Sequence, residues 1–172
     1  MKHIIALGGS SSRKSINKIL AVYTAHLVHN AQVEVLDLNE FELPLYSIDL
    51  EEEKGIPVQA RNLLASIQSA DGIVLSLAEH NGAYSAAFKN AFDWMSRIDG
   101  KLWAHKPMLL LASSPGARGG QTVLDIAKGR FPYMGGNIVG SMAVPNFYEN
   151  FKDGEVANEQ LKNELSTLAK LL

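Results

Sequence analysis

The chain reads as a three-layer α/β domain spanning residues 1–172, built on a five-stranded parallel sheet. Two observations predict this. Five short apolar runs alternate with segments whose apolar residues recur at i, i+3, i+4 and i+7. No internal repeat, linker or low-complexity tract interrupts that alternation. Strand and helix alternating in this way imply a parallel sheet covered on both faces, with right-handed crossovers.

The strand candidates are Ile4–Leu7, Val33–Leu38, Gly72–Leu77, Met108–Ala112 and Asn137–Met142. They are mostly Val, Ile and Leu, which predicts strands buried on both faces. The helical stripes follow in order. Ile16, Ile19, Leu20, Tyr23 and Leu27 form the first, and Ala60, Leu63, Leu64 and Ile67 the second. Ala87, Ala91, Trp94 and Met95 form the third, with Trp94 read as core. Val123, Leu124, Ala127 and Phe131 form the fourth, and Leu161, Leu165, Leu168 and Leu172 the last. The segment Leu43–Leu50 fits neither period and reads as a mobile lid or partner contact, with Glu51–Lys54 a solvated tail.

Composition removes several kinds of function. The net charge of −2 leaves no room for a long cationic surface, so neither nucleic acid nor an anionic membrane is an expected partner. The chain has no cysteine, which excludes disulfides, thiolate zinc sites, iron–sulfur clusters and cysteine nucleophiles. His26 and His29 lie three apart with no third ligand nearby, so no metal is expected. The apolar run Ile4–Gly8 is too short for a secretory leader, and no stretch approaches a membrane span. These points predict a cytoplasmic protein.

In open α/β sheets, ligands bind beyond the carboxyl ends of the strands. Three of the loops expected there are chemically unusual. The first runs Gly8-Gly9-Ser10-Ser11-Ser12-Arg13-Lys14-Ser15-Ile16-Asn17 into a helix. Unpaired N–H groups and a positive dipole end suit a helix N-terminus to a phosphate, and here hydroxyls and cations are added. The loop lacks both the Gly-Lys-Ser/Thr ending of a nucleoside-triphosphate loop and the G-x-G-x-x-G of a dinucleotide binder. It better suits a terminal monophosphate. The alternative is that one serine merely caps the helix, but capping needs only one hydroxyl. Asp37, near the end of the second strand, reads as a strand-end turn former.

The loop after the third strand reads Ala78-Glu79-His80-Asn81-Gly82-Ala83-Tyr84-Ser85. Gly82 permits a tight turn or close approach to a ligand, and Asn-Gly is also a common turn pair. The loop after the fourth strand, Ser113-Ser114-Pro115-Gly116-Ala117-Arg118-Gly119-Gly120, carries little side-chain bulk and suits the flat face of an aromatic ring. Arg118 is either a phosphate contact for an incoming cofactor or a solvated loop residue.

Together the three loops resemble those of the NADPH-dependent FMN reductase family, over about Lys2 to Asn146. The family's G-S-x-x-x-x-S-x-N matches Gly9, Ser10, Ser15 and Asn17. Its P-E-Y-N-G and K-N-A-x-D-W match Glu79, Asn81 and Gly82, then Lys89, Asn90, Ala91, Asp93 and Trp94. Its S-P-G-x-x-G-G matches Ser114, Pro115, Gly116, Gly119 and Gly120. Ala78 and His80 depart from the usual proline and tyrosine, which puts substrate preference in doubt.

The resemblance implies a flavodoxin-like sheet of order 2-1-3-4-5 with FMN at the strand-one/strand-three switch point. Ser10, Ser12, Arg13, Ser15, Ile16 and Asn17 would hold the FMN phosphate. Ala78, Glu79, His80, Asn81 and Gly82 would meet the polar edge of the ring. Ser113, Ser114, Gly116, Gly119 and Gly120 would flank it and admit the nicotinamide of NADPH or NADH. The implied activity passes hydride from NAD(P)H through FMN to a small electron acceptor: a quinone, azo compound, metal oxyanion or free flavin. A non-catalytic electron carrier or flavin-binding module is the alternative, although flavodoxins tend to be strongly acidic and −2 fits poorly. No side chain is needed as a catalytic acid, base or nucleophile, because the cofactor carries the chemistry. The family commonly forms dimers or tetramers, and the apolar segment Ala83–Arg97 is the candidate interface.

Overall fold

In a computed structural model describing residues 1–172, strand β1 (Lys2–Gly9) leads through a polar loop into α1 (Ile16–His26). Next come β2 (Ala31–Leu36), a 3-10 turn (Leu38–Glu40), α2 (Ile48–Lys54), α3 (Val58–Ser69) and β3 (Gly72–Leu77). A short hairpin, β4 (Glu79–His80) and β5 (Ala83–Tyr84), precedes α4 (Ala86–Ile98) and β6 (Pro107–Ser113). The chain continues through α5 (Gln121–Arg130), a 3-10 turn (Phe131–Met134), β7 (Asn137–Val144) and a single helical turn α6 (Phe147–Asn150). A second hairpin, β8 (Phe151–Lys152) and β9 (Glu155–Val156), leads into α7 (Glu159–Ala169). No helix is long and apolar enough to cross a membrane.

The main sheet has the order β2-β1-β3-β6-β7, and every pairing is parallel. With the two hairpins set aside, this is the predicted 2-1-3-4-5 order, a flavodoxin-like fold. Alternation along β1 divides the interior: Ile5 and Leu7 pack with α3, α4 and α5, whereas Ile4 and Ala6 pack with α1 and α7. All four are fully buried, the Ile and Leu side chains each worth ~1.5–3 kcal/mol of apolar burial.

The edges depart from the predicted pattern. Strand β2 has a neighbour on one side only and keeps just Leu36 buried. It stops there because the Asp37 carboxylate leaves the ladder to accept the Asn39 N–H at 2.9 Å. The buried face of α1 is Asn17, Leu20, Ala21, Thr24 and Ala25, and Ile19 is left 39% exposed. The two alanines let the helix sit close to the sheet, which rotates the bulkier stripe outward.

The segment after β2 is a strap fastened across α4, not a loose lid. The Trp94 indole N–H donates to the Pro44 carbonyl at 2.7 Å, and Asn90 accepts the Tyr46 N–H at 2.9 Å. The Tyr46 ring meets Trp94 edge-on at 5.0 Å between centroids. Ser47 caps α2 by accepting the Leu50 N–H, and Arg97 pairs with Glu51 at 2.8 Å. Helix α4 itself begins at Ala86, capped by Ser85, because residues 83–84 belong to the hairpin. Phe88, Ala91, Phe92, Trp94 and Met95 of this helix are buried within this chain, whereas Ala86 is exposed and Ala87 and Ile98 are partly so.

Candidate functional site

Gly9 pairs with Leu77, so β1 and β3 end side by side where the chain reverses its direction of progress across the sheet. That switch point is the natural crevice of a doubly wound sheet. The loop beyond Gly9 is held by its own backbone. The Ser10 hydroxyl accepts the Ser12 N–H at 3.1 Å, and the Ser12 hydroxyl accepts the Lys14 N–H at 3.3 Å. The Ser15 hydroxyl accepts the Lys18 N–H at 3.1 Å and caps α1. Each oxygen is thereby oriented while its own proton stays unspent. The N–H groups of Ile16 and Asn17 have no acceptor in the protein. Three hydroxyl protons and two amides are thus left without an acceptor at the positive end of a helix, the kind of donor set an anion requires. The capping alternative holds for Ser15, but Ser10 and Ser12 add donors that a cap does not need.

The Asn17 side chain does something else. Its amide donates to the Ser113 carbonyl at 3.0 Å, and its oxygen accepts the Ser76 hydroxyl at 2.7 Å and the Ser113 N–H at 2.9 Å. The Ser113 hydroxyl donates to the Val144 carbonyl at 2.8 Å. All three residues are buried. This knot joins α1 to β3, β6 and β7, and it removes the Asn17 side chain and Ser113 from the set of free ligand donors expected from the resemblance. Only the Asn17 N–H remains available.

Asn81 (φ 53°) and Gly82 (φ 74°) form the two-residue turn of the β4–β5 hairpin. Two positive φ angles in succession are what a type I′ turn demands, and Asn-Gly meets the demand with least strain. Ser85 closes the hairpin by donating to the Gly9 carbonyl at 2.8 Å, tying it to the first loop. The Glu79 carboxylate accepts the Val123 N–H at 2.9 Å in the first turn of α5.

The glycines after β6 also have a local cause. Gly119 has φ 59°, and a Cβ there would lie 2.7 Å from the Pro145 nitrogen and the Val144 carbonyl carbon. Its missing side chain faces the end of β7, not an open slot. Gly120 likewise faces Ala112, whereas Gly116 meets only the Ser114 hydroxyl, at 3.9 Å. Arg118 donates to the Thr122 hydroxyl at 3.1 Å. The carbonyls of Ser114 and Gly116 accept the N–H groups of Phe147 and Asn146, each at 3.1 Å. These bonds bring the loop after β7 into the site.

The result is a cleft of about 220 Å³ among the loops. Ser10, Ser12, Lys14, Ser15, Ile16 and Asn17 line one side, Ala78, Glu79 and His80 another, and Ser113, Ser114 and Pro115 a third. Arg13, Asn81, Gly82, Gly116, Gly119 and Gly120 do not line it. Lys14 lines it where its neighbour Arg13 was expected. Tyr148 also lines it, and sequence reasoning missed it because it follows the fifth strand outside any periodic segment. A larger depression of about 780 Å³ runs along the outer face of α1 toward Lys162. It lies off the switch point, so the smaller cleft is the better candidate site.

Two groups elsewhere in the fold have shifted acidities. Burial disfavours the Asp37 carboxylate, but hydrogen bonds from Lys18, at 2.6 Å, and Asn39 outweigh it and hold the group below its usual range. That carboxylate is spent on Lys18 and the 3-10 turn, as the strand-end reading expected. Burial pushes the Tyr84 phenol up to about 12, and its oxygen has no hydrogen-bond partner.

The profile of the family described as NADPH-dependent FMN reductase matches residues 2–149. A quinone reductase of Escherichia coli K12 is 36% identical over 118 residues, covering 68% of this chain and 62% of that protein. An NADPH azoreductase of Bacillus sp. OY1-2 is 32% identical over 123 residues, covering 71% of this chain and 64% of that protein. The match thus spans somewhat less than two thirds of each relative. Among solved structures, the flavoenzyme NAD(P)H:(acceptor) oxidoreductase FerB of Paracoccus denitrificans superposes with a TM-score of 0.77 at 24% identity. That superposition covers 98% of this chain and 93% of FerB, and supports the fold. The strand order, the loops at the switch point and the profile match converge: the chain belongs to the NADPH-dependent FMN reductase family.

Proposed function

We propose that residues 1–172 form a single FMN-binding domain that takes reducing equivalents from NADPH or NADH and delivers them to a small acceptor such as a quinone or azo compound. The observation that carries this reading is the donor set at the start of α1. Ser10, Ser12 and Ser15 each keep a hydroxyl proton free, and Ile16 and Asn17 each keep an amide free. That set fits the dianionic end of a monophosphate, and Lys14 adds a cation at the same cleft.

When bound, FMN supplies the two-electron chemistry, and no side chain needs to act as a nucleophile. The protein's own contribution is placement. The first loop would grip the phosphate. The Ala78–His80 backbone and the Ser114–Pro115 segment would then border the ring from two sides. Ser85 holds the hairpin against the first loop through the Gly9 carbonyl, so ring and phosphate sites keep a constant separation. Tyr84 of β5 packs on Phe88, Phe92 and Phe131, which gives the hairpin a stiff floor.

The test is an absorbance spectrum of the purified protein before and after anaerobic NADPH. A bound yellow chromophore that bleaches with NADPH alone is expected. A chromophore that bleaches only with a protein donor would favour the electron-carrier alternative, and a protein that takes up no FMN in titration would end the reading. The proposal includes a cytoplasmic location and assembly as a homodimer or homotetramer, checked by fractionation and by light scattering. The quinone reductase and azoreductase relatives suggest quinones and azo dyes as the first acceptors to try.

A further inference from the structure

Glu79 lines the cleft, yet its carboxylate is not free for a ligand. It accepts the Val123 N–H at 2.9 Å. Val123 is the third residue of α5, a helix whose N-cap is Gly120 in the left-handed region with no side chain to offer. The Gln121 N–H turns back to the Arg118 carbonyl, and the Leu124 N–H reaches the Gly120 carbonyl. Val123 therefore depends on a residue 44 positions earlier. A carboxylate accepting from a first-turn amide gains both a charge-assisted hydrogen bond and the favourable end of the helix dipole. At the hairpin tip, a Cβ on Gly82 would lie 3.8 Å from the Thr122 methyl. Thr122 also receives the Arg118 guanidinium at 3.1 Å. The hairpin after β3 and the loop before α5 thus meet through the first turn of one helix, and the polar link between them is Glu79.

We propose that Glu79 is a positioning residue that sets the width of the slot between these two loops, where the nicotinamide and the acceptor must pass. This rests on the flavoenzyme reading above. Phosphate binding is a separate matter, because Ser10, Ser12 and Ser15 sit on another loop. Removing the carboxylate leaves the Val123 amide unpaired and lets the first turn of α5 part from the hairpin. FMN is retained, while a stacked donor loses its fixed distance from the ring. A glutamine retains an oxygen that accepts the same N–H, so it should restore the slot.

The experiment compares Glu79→Ala, Glu79→Gln and the unchanged protein, each loaded with FMN. Glu79→Ala should raise KM for NADPH by about tenfold, the size expected for a modest misplacement of the bound donor. Its FMN dissociation constant should stay within about threefold, and Glu79→Gln should recover most of the KM. Hydrogen exchange at the Val123 amide, measured without FMN, should accelerate in Glu79→Ala and not in Glu79→Gln. A lowered melting temperature with unchanged KM would reduce Glu79 to a structural residue and overturn the proposal. Unchanged exchange at Val123 would overturn it as well, by removing the link itself. If the unchanged protein takes up no FMN, the flavoenzyme reading fails and this role goes with it. Normal FMN uptake with unaltered kinetics in Glu79→Ala defeats the positioning role alone.

Discussion

Two groups of small polar side chains meet at the carboxyl ends of the strands, and they have opposite fates. Ser10 and Ser12, at the surface, use their oxygens on nearby backbone and keep their protons unspent. Asn17, Ser76 and Ser113, fully inside, use their side chains on one another and on strand ends. In sequence the two groups are the same chemistry. What separates them is access to water. A buried polar atom left without a partner costs ~1–3 kcal/mol, so the inner set must be closed. An exposed hydroxyl can stay open at little cost, and only an open one can greet a ligand.

The sharpest way to break this contrast is Asn17→Ala. It strands the Ser76 hydroxyl and both backbone groups of Ser113, and should cost about 3 kcal/mol or more in chemical denaturation. A loss below about 1 kcal/mol would mean the inner set is not a closed network. The reciprocal test is the double substitution Ser10→Ala/Ser12→Ala. It should weaken FMN binding by about ten- to a hundredfold in a fluorescence titration while shifting stability by less than about 0.5 kcal/mol. Unaltered affinity would show that the outer hydroxyls are only local turn formers.

Tyr84 offers a third case, a buried hydroxyl that no partner closes. Tyr84→Phe should therefore stabilise the protein at pH 7 by about 1 kcal/mol. The pH dependence has a definite sign. Burial raises the folded phenol to about 12, above its ordinary value of 10.0, so the fold favours the neutral form. That contribution is fully present below pH 10 and is lost as pH rises toward 12. Melting curves should fall more steeply over this interval in the unchanged protein than in Tyr84→Phe.

The smallest effect belongs to the half-exposed pair of Lys18 and Asp37, intermediate between the two groups. Asp37 is held below its ordinary value of 3.8 in the fold, so its contribution is present above that pH and is lost as pH falls through the folded value. Asp37→Asn should remove this acid sensitivity, by less than about 1 kcal/mol because the pair still touches solvent. Melting temperatures between pH 6 and pH 3, taken side by side, decide it.

Much of the fold was legible because burial on both faces writes itself as continuous apolar runs, and helical packing as a repeat of three and four. The strand order came from the family resemblance. Legibility failed at edges and at singular positions. Strand β2 looked like an inner strand although it has one neighbour. Segment 43–54 looked loose because the bonds holding it come from Trp94, Asn90 and Arg97, far along the chain. In the site, Lys14 and Arg13 are adjacent and chemically alike, and only the path of the loop selects Lys14 for the cleft. Tyr148 had no pattern at all to announce it.

The sequence by itself determined which loops carry spare hydroxyls, glycines and turn pairs, since these follow three of its five strands. The tertiary structure alone decided which of those groups remain free. Asn17 finds its partners 59 and 96 residues away, and the space Gly119 leaves empty is filled by the end of β7. A residue's donors and acceptors are given by its type. Whether they are already satisfied depends on neighbours that folding brings together.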